Sequence, residues 1–163
     1  MNWSKASAIA EILSSVAIFV TLFYLAVEVQ QNADSTQAET RQAILSADQE
    51  FLQFMIEEPD LVLLRYKTHL DDIERVRLSF QLLTLVRMRE INWIQHQNGI
   101  LDDVTWHAYL GSVRAVLSAP QSRVWWKNYG VERIFDVKFI SLVDELLAET
   151  PVFERSPHIT AFD

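Results

Sequence analysis

The stretch that decides the fold is ILSSVAIFVTLFYLAV, Ile12 to Val27, sixteen residues without a charge, bracketed by Glu11 and Glu28. Extended from Ala6 to Val29 it gives roughly 24 residues, which at ~1.5 Å of rise each matches a ~30 Å hydrocarbon layer. Both glutamates then fall near the interfaces, where a carboxylate costs far less than at the midplane. Trp3 and Tyr24 stand near opposite ends, as interfacial aromatics do. The segment is therefore read as a membrane-spanning helix. Two other readings compete: a core helix of a soluble protein, since sixteen uncharged residues are few for a span, and a signal peptide. The following VEVQQNAD is a poor cleavage site, which counts against the signal peptide.

Polar residues in this helix share one side. Ser4, Ser7, Glu11, Ser14, Thr21 and Glu28 follow i, i+3, i+7 spacing, interrupted by Ile18 and Leu25. Ser7, Glu11, Ser14, Thr21 and Glu28 thus form a candidate helix-association stripe, because close-packing small and hydroxylated residues mark helix contacts in lipid. The competing reading has each hydroxyl bonded to its own backbone. Lys5 precedes the helix, whereas Glu28, Asp34 and Glu39 follow it, with Arg41 further on. The positive-inside rule then leaves the N-terminus in the cytoplasm and the rest outside it.

Working outward, the chain has 163 residues, half of them hydrophobic, with only 3 Gly and 4 Pro. That favours long helices over a turn-rich β fold. There is no cysteine, which excludes disulfides, thiol catalysis and cysteine-bound zinc. The net charge is −8 and the basic residues are scattered, so no cationic footprint for nucleic acid exists.

Asn32 to Glu57 lacks Gly and Pro and continues as helix. Its first half is polar all round, as in a stalk, and Ile44, Ala47, Phe51 and Met55 give its second half an apolar face. Pro59 stops it, and Asp60 starts a short helix reaching Leu70. Asp71 with Glu74 forms a capping-box start to a helix ending near Gln97. Val76, Leu78, Phe80, Leu82, Leu83, Leu85 and Val86 cover nearly every side of it, which predicts a central helix surrounded by others. Asp102 or Asp103 caps the next helix, Pro120 opens a short one that Gly130 ends, and Asp136 caps the last. The expectation is all-α: an anchor over 1–30, a stalk and first bundle helix over 31–58, an antiparallel bundle over 59–149, and an extended tail over 150–163.

The opening EILSSVAIFVTLFYLAVEVQQN, with EEPDL at Glu57 to Leu61, SRVWW at Ser122 to Trp126 and F-x-x-x-F-x-x-x-V-D-E-L-L from Phe135 to Leu147, resembles a family of uncharacterised bacterial proteins. Those have a single N-terminal membrane helix ahead of a small helical domain. The resemblance implies an anchored bundle in a bacterial inner membrane and adds nothing about chemistry.

No nucleophile elbow, zinc-protease motif, phosphate loop or dinucleotide fingerprint occurs, and no Glu-x-x-His pair for a di-iron site. No catalytic residue, cofactor or metal is expected. Asp103 and His107, at i, i+4, are two ligands without a third. Arg87, Arg89, Glu90, Asn92 and His96 gather in the later half of the long helix, and Arg87, Glu90 and His96 are a candidate pocket or buried network, because charge on a buried helix must be paired or reach water; the competing reading has the helix emerge from the bundle at Arg87, with these as ordinary surface residues. Arg123, Trp125 and Trp126 are a candidate partner surface, weighed against plain packing. The expected function is a non-enzymatic, membrane-anchored interaction or accessory protein that contacts lipid and either itself or a membrane protein partner. The alternative is a ligand-sensing module with an apolar pocket between helices.

Overall fold

The computed structural model describes residues 3–129 and 131–161, with the side chains of 3–10 and of Arg133 outside the description. Among the described residues there are helices and no strand: α1 (Trp3–Glu57), α2 (Asp60–Leu64), α3 (Asp72–Gln97), α4 (Asp103–Leu117), α5 (Pro120–Asn128), a 3₁₀ turn (Val131–Arg133), α6 (Val137–Ala148) and α7 (Pro157–Thr160). The protein is all-α. Its contacts divide it into two units, Met1–Ala43 and Ile44–Asp163. The first is helix α1 alone up to that division. Trp3, Ser4, Lys5 and Ser7, on which parts of the anchor reading fall, have side chains outside the description, as is Gly130.

In the second unit α3 packs on α2 and α4, and α4 packs on α5 and α6. The core runs through Leu78, Leu82, Leu85 and Val86 of α3, Trp106, Val113 and Leu117 of α4, Trp126 of α5, and Phe139, Val143, Leu146 and Leu147 of α6. Phe51 and Met55, near the end of α1, pack against its margin. Helix starts are fixed by their caps. Asp71 accepts from Glu74 N while Glu74 accepts from Asp71 N, closing the capping box. Asp102 accepts from Thr105 N, and Asp136 from Lys138 N. Pro120 occupies the first turn of α5, where its missing N–H is no loss.

Three expectations are corrected. First, α3 is not surrounded: one side is buried, but Val76 and Phe80 are exposed, together with Ile73, Ile91 and Ile94. Second, the helix opened by Asp60 stops at Leu64 instead of Leu70. The Arg65 carbonyl leaves the helix to accept from Gln121 N at 3.0 Å, and the Gln121 amide donates to Lys67 O and Thr68 O. Third, the tail is not wholly extended. Phe153 N donates to Ser118 O at 2.8 Å, and α7 follows.

Candidate functional site

In the first unit every described residue from Glu11 to Thr36 is exposed, including the apolar side chains of Ile12, Leu13, Phe19, Val20, Phe23 and Val29. This one helix is long and apolar enough to cross a membrane. Of the proposed stripe, the Thr21 hydroxyl donates to Ala17 O at 2.9 Å, as Ser15 beside the stripe does to Glu11 O. Glu11, Ser14 and Glu28 face outward.

In the second unit the charged residues singled out by sequence separate into two groups. Arg87 pairs with Glu90, and its Nη2 donates to Ile134 O at 2.8 Å while its guanidinium lies 4.6 Å from the centre of the Phe135 ring. Glu90 is buried, and its other oxygen accepts from Asp136 N at 2.6 Å. Together they fasten the 134–136 turn, and so the start of α6, onto α3. A carboxylate here is needed because it satisfies a guanidinium and a backbone N–H at once. His96 belongs elsewhere. Its Nε2 lies 2.8 Å from Asp103 Oδ1, and its ring stacks on Trp106. His107 is turned to the Asp103 carbonyl at 2.6 Å, so Asp103 and His107 do not converge on one point through their side chains. Among the described residues no three metal-ligating side chains are grouped.

Arg89 and Asn92 belong to a second buried polar cluster, whose members on other helices, Asp48 of α1 and Tyr109 of α4, the sequence reading does not include. Arg89 Nη1 lies 2.8 Å from Asp48 Oδ1, with both side chains largely buried, and the guanidinium sits 4.7 Å from the centre of the Tyr109 ring. The Asn92 amide, oriented with its oxygen 2.8 Å from Arg89 Nη1, completes it. Burial pushes the Tyr109 phenol up to about 12, with the Asp48 carboxylate acting in the same direction and Arg89 against it. The signal was present: Asp48 interrupts the apolar series Ile44, Phe51, Met55 at helical spacing, on a face where an unpaired charge is costly.

Arg65 is buried as well. Its Nε donates to Gln81 Oε1 at 3.3 Å, and burial holds the guanidinium down at about 10. Gln81 in turn reaches Met55 Sδ at 2.9 Å.

The Arg123–Trp126 segment is committed internally. Arg123 donates to Leu147 O at 2.8 Å and Thr150 O at 2.6 Å, serving carbonyls at the end of α6 that have no helical partner. Trp126 is buried and donates to Asp144 Oδ1 at 2.8 Å. Trp125 is half-buried, donates to Ser79 Oγ at 2.9 Å and stacks on Tyr129. Beside it lies a groove of about 240 Å³ lined by Leu70, Arg75, Leu78, Gln121, Trp125 and Tyr129, among others. A wider groove of about 390 Å³ runs between Phe51, Phe54 and Leu61 on one side and Val76 and Phe80 of α3 on the other. Arg87, Glu90 and His96 line neither.

No protein-family model, curated protein or solved structure matches the chain.

Proposed function

We propose that the protein is a membrane-anchored helical interaction protein, an accessory or scaffold subunit and not an enzyme, held by a single span in a bacterial inner membrane with the second unit on the extracytoplasmic side. The observation that carries this reading is the Ile12–Val27 run, uncharged, mostly apolar and exposed at every one of its described residues. A helix of that kind is stable in water only if something covers it, and hydrocarbon of matching thickness does. The side assignment rests on Lys5 before the span against Glu28, Asp34 and Glu39 after it. Support for an interaction role comes from the second unit. Its most conspicuous polar side chains, Arg87, Glu90, Arg89, Asp48 and Arg123, bond to one another or to helix ends, so their geometry serves assembly of the bundle. The ligand-sensing alternative draws less support, since Arg87, Glu90 and His96 border neither groove.

Fractionation tests the anchor: the protein should stay with membranes through an alkaline wash and leave only with detergent. Recovery in the wash would overturn it. The chain has no cysteine, so a Ser35→Cys variant then reports the side. Labelling by a membrane-impermeant maleimide applied from the periplasmic face is expected. Labelling only after the inner membrane is opened would reverse the orientation.

A further inference from the structure

The bare side of α3 is an ordered feature. Ile73, Val76, Phe80, Thr84, Arg87, Ile91 and Ile94 recur at spacings of three or four, and all lie within about 80° of the helix circumference over ~32 Å of its length. Ile73 is 74% exposed, Val76 55%, Phe80 65%, Ile91 45% and Ile94 41%. A 3-4 repeat along one face is the pattern with which one helix packs against another in a left-handed pair. Among the described residues of the second unit none of these five side chains is buried.

We infer that a second copy of this chain packs against this face of α3. The inference deepens the interaction reading by naming its partner. Three observations favour a second copy over other occupants. The first is area. The five apolar side chains with Phe54 beside them offer on the order of 600 Å² per chain, and the polar residues between them bring the face close to the ~800 Å² per partner of a stable interface. That apolar area is at the upper end of the largest apolar patch an ordinary monomer leaves bare, and such patches are often functional. The second is charge. A two-fold contact sets a surface against itself, so any net charge on it would repel. Arg87 is neutralised by Glu90, and beside the stripe Arg77 is held by Glu58 and Asp60, and Arg75 by Asp72. On a chain of net charge −8, these three arginines meet four carboxylates, which leaves the face little net charge. The same pairing disfavours an anionic lipid surface, which would be met by unpaired cations. The third is relief. The groove of about 390 Å³ between Phe54 and Phe80 is a hollow beside the stripe, as a protruding side chain of a mate requires.

Cross-linking of the full chain decides it. Thr84 is exposed and lies near the midpoint of the stripe, so its mate is close whether the two α3 helices run parallel or antiparallel. In the otherwise cysteine-free chain, Thr84→Cys should oxidise to a disulfide-linked dimer of twice the chain mass, in native membranes and in mild detergent. Glu145→Cys, exposed on α6, should stay monomeric. Adding Phe80→Glu to Thr84→Cys should reduce the dimer at least tenfold without altering the circular-dichroism melt, because Phe80 is not in the core. A dimer that resists Phe80→Glu, an adduct of any other mass, or preferential labelling of Thr84→Cys by a lipid-borne maleimide would overturn the proposal. So would the absence of a dimer at both Thr84→Cys and Phe80→Cys. The readout is independent of the anchor: were the protein found in the soluble fraction, the same oxidation there would still report the pairing.

Discussion

Two stretches of helix in this protein are largely apolar in sequence, Ile12–Val27 within α1 and Val76–Val86 within α3, and the polar residues of the two helices separate them. In the first, hydroxyls turn back on their own helix: Ser15 to Glu11 O, Thr21 to Ala17 O. In the second, polar groups reach across to other elements: Glu90 to Asp136 N, Arg89 to Asp48, Ser79 to Trp125. A helix that must satisfy its hydroxyls locally is suited to hydrocarbon, which offers no partner. A helix whose charges are matched by neighbours is suited to a protein interior. Apolar content alone does not tell the two apart. What separates them is the charged side chains that α3 pairs with other elements, since a hydroxyl turned back on its own helix also occurs at Thr36, Thr40 and Ser141.

The sharpest way to break that contrast is to place one charge in each region. Val143→Asp puts an unpaired carboxylate into the fully buried core of α6, a cost of several kcal/mol, and the cooperative melt should vanish. Val20→Asp, at the middle of the apolar run, costs about 2.5–3.5 kcal/mol of membrane insertion. It should lower the membrane-bound fraction while the melt of the second unit, followed by near-ultraviolet circular dichroism, stays in place. Equal damage to the melt from both variants would mean that the first helix is a core helix after all.

Removing one partner from each buried polar pair comes next. Asp48→Ala leaves Arg89 buried with only Asn92 and the Tyr109 ring, and should cost about 3–5 kcal/mol in urea unfolding. Glu90→Gln keeps the shape of the side chain but loses the charge on which Arg87 and the Asp136 amide both rely, costing about 1–3 kcal/mol. By contrast, Thr21→Val in the first helix should change the unfolding of the second unit by less than about 0.5 kcal/mol. A Glu90→Gln variant as stable as the parent would show that the 134–136 turn is held by Phe135 packing alone.

Much of this arrangement could be read before any coordinates. The caps at Asp71 and Asp136, and one at Asp102 or Asp103 that the structure gives to Asp102, are legible because a short acidic side chain ahead of an apolar run has one local task, satisfying free N–H groups. The pairing of Arg87 with Glu90 was legible because i, i+3 spacing fixes their distance. What Glu90 does beyond that was not, since Asp136 lies 46 residues away and no local rule links them. The premature end of α2 at Leu64 escaped for the same reason: the Gln121 amide that takes its carbonyls arrives from α5. The exposed stripe of α3 was misjudged as burial because periodicity reports that a side is apolar and is silent on what covers it. Arg123 and Trp126, suspected of facing a partner, meet the end of α6 and Asp144, contacts that only the tertiary fold sets.

The smallest expected effect is electrostatic and lies at alkaline pH. The Tyr109 phenol, raised to about 12 by burial and by Asp48, keeps its proton in the folded chain after the unfolded chain, near 10, has released it. Below pH 10 both states are protonated and the contribution is fully present. Between about 10 and 12 the unfolded state loses its proton first, so stability falls with rising pH. Arg65 acts with the opposite sign. Its folded value of about 10 lies below the unfolded one, so its guanidinium loses a proton first in the folded state and stability rises over the same interval. The two contributions partly cancel in the parent chain, and Tyr109→Phe removes only the first. The urea midpoint of Tyr109→Phe should therefore fall less steeply than that of the parent between pH 10 and 11.5. Parallel slopes would mean that Tyr109 titrates as an ordinary surface phenol, and that the Asp48–Arg89 cluster is wetter than its burial implies.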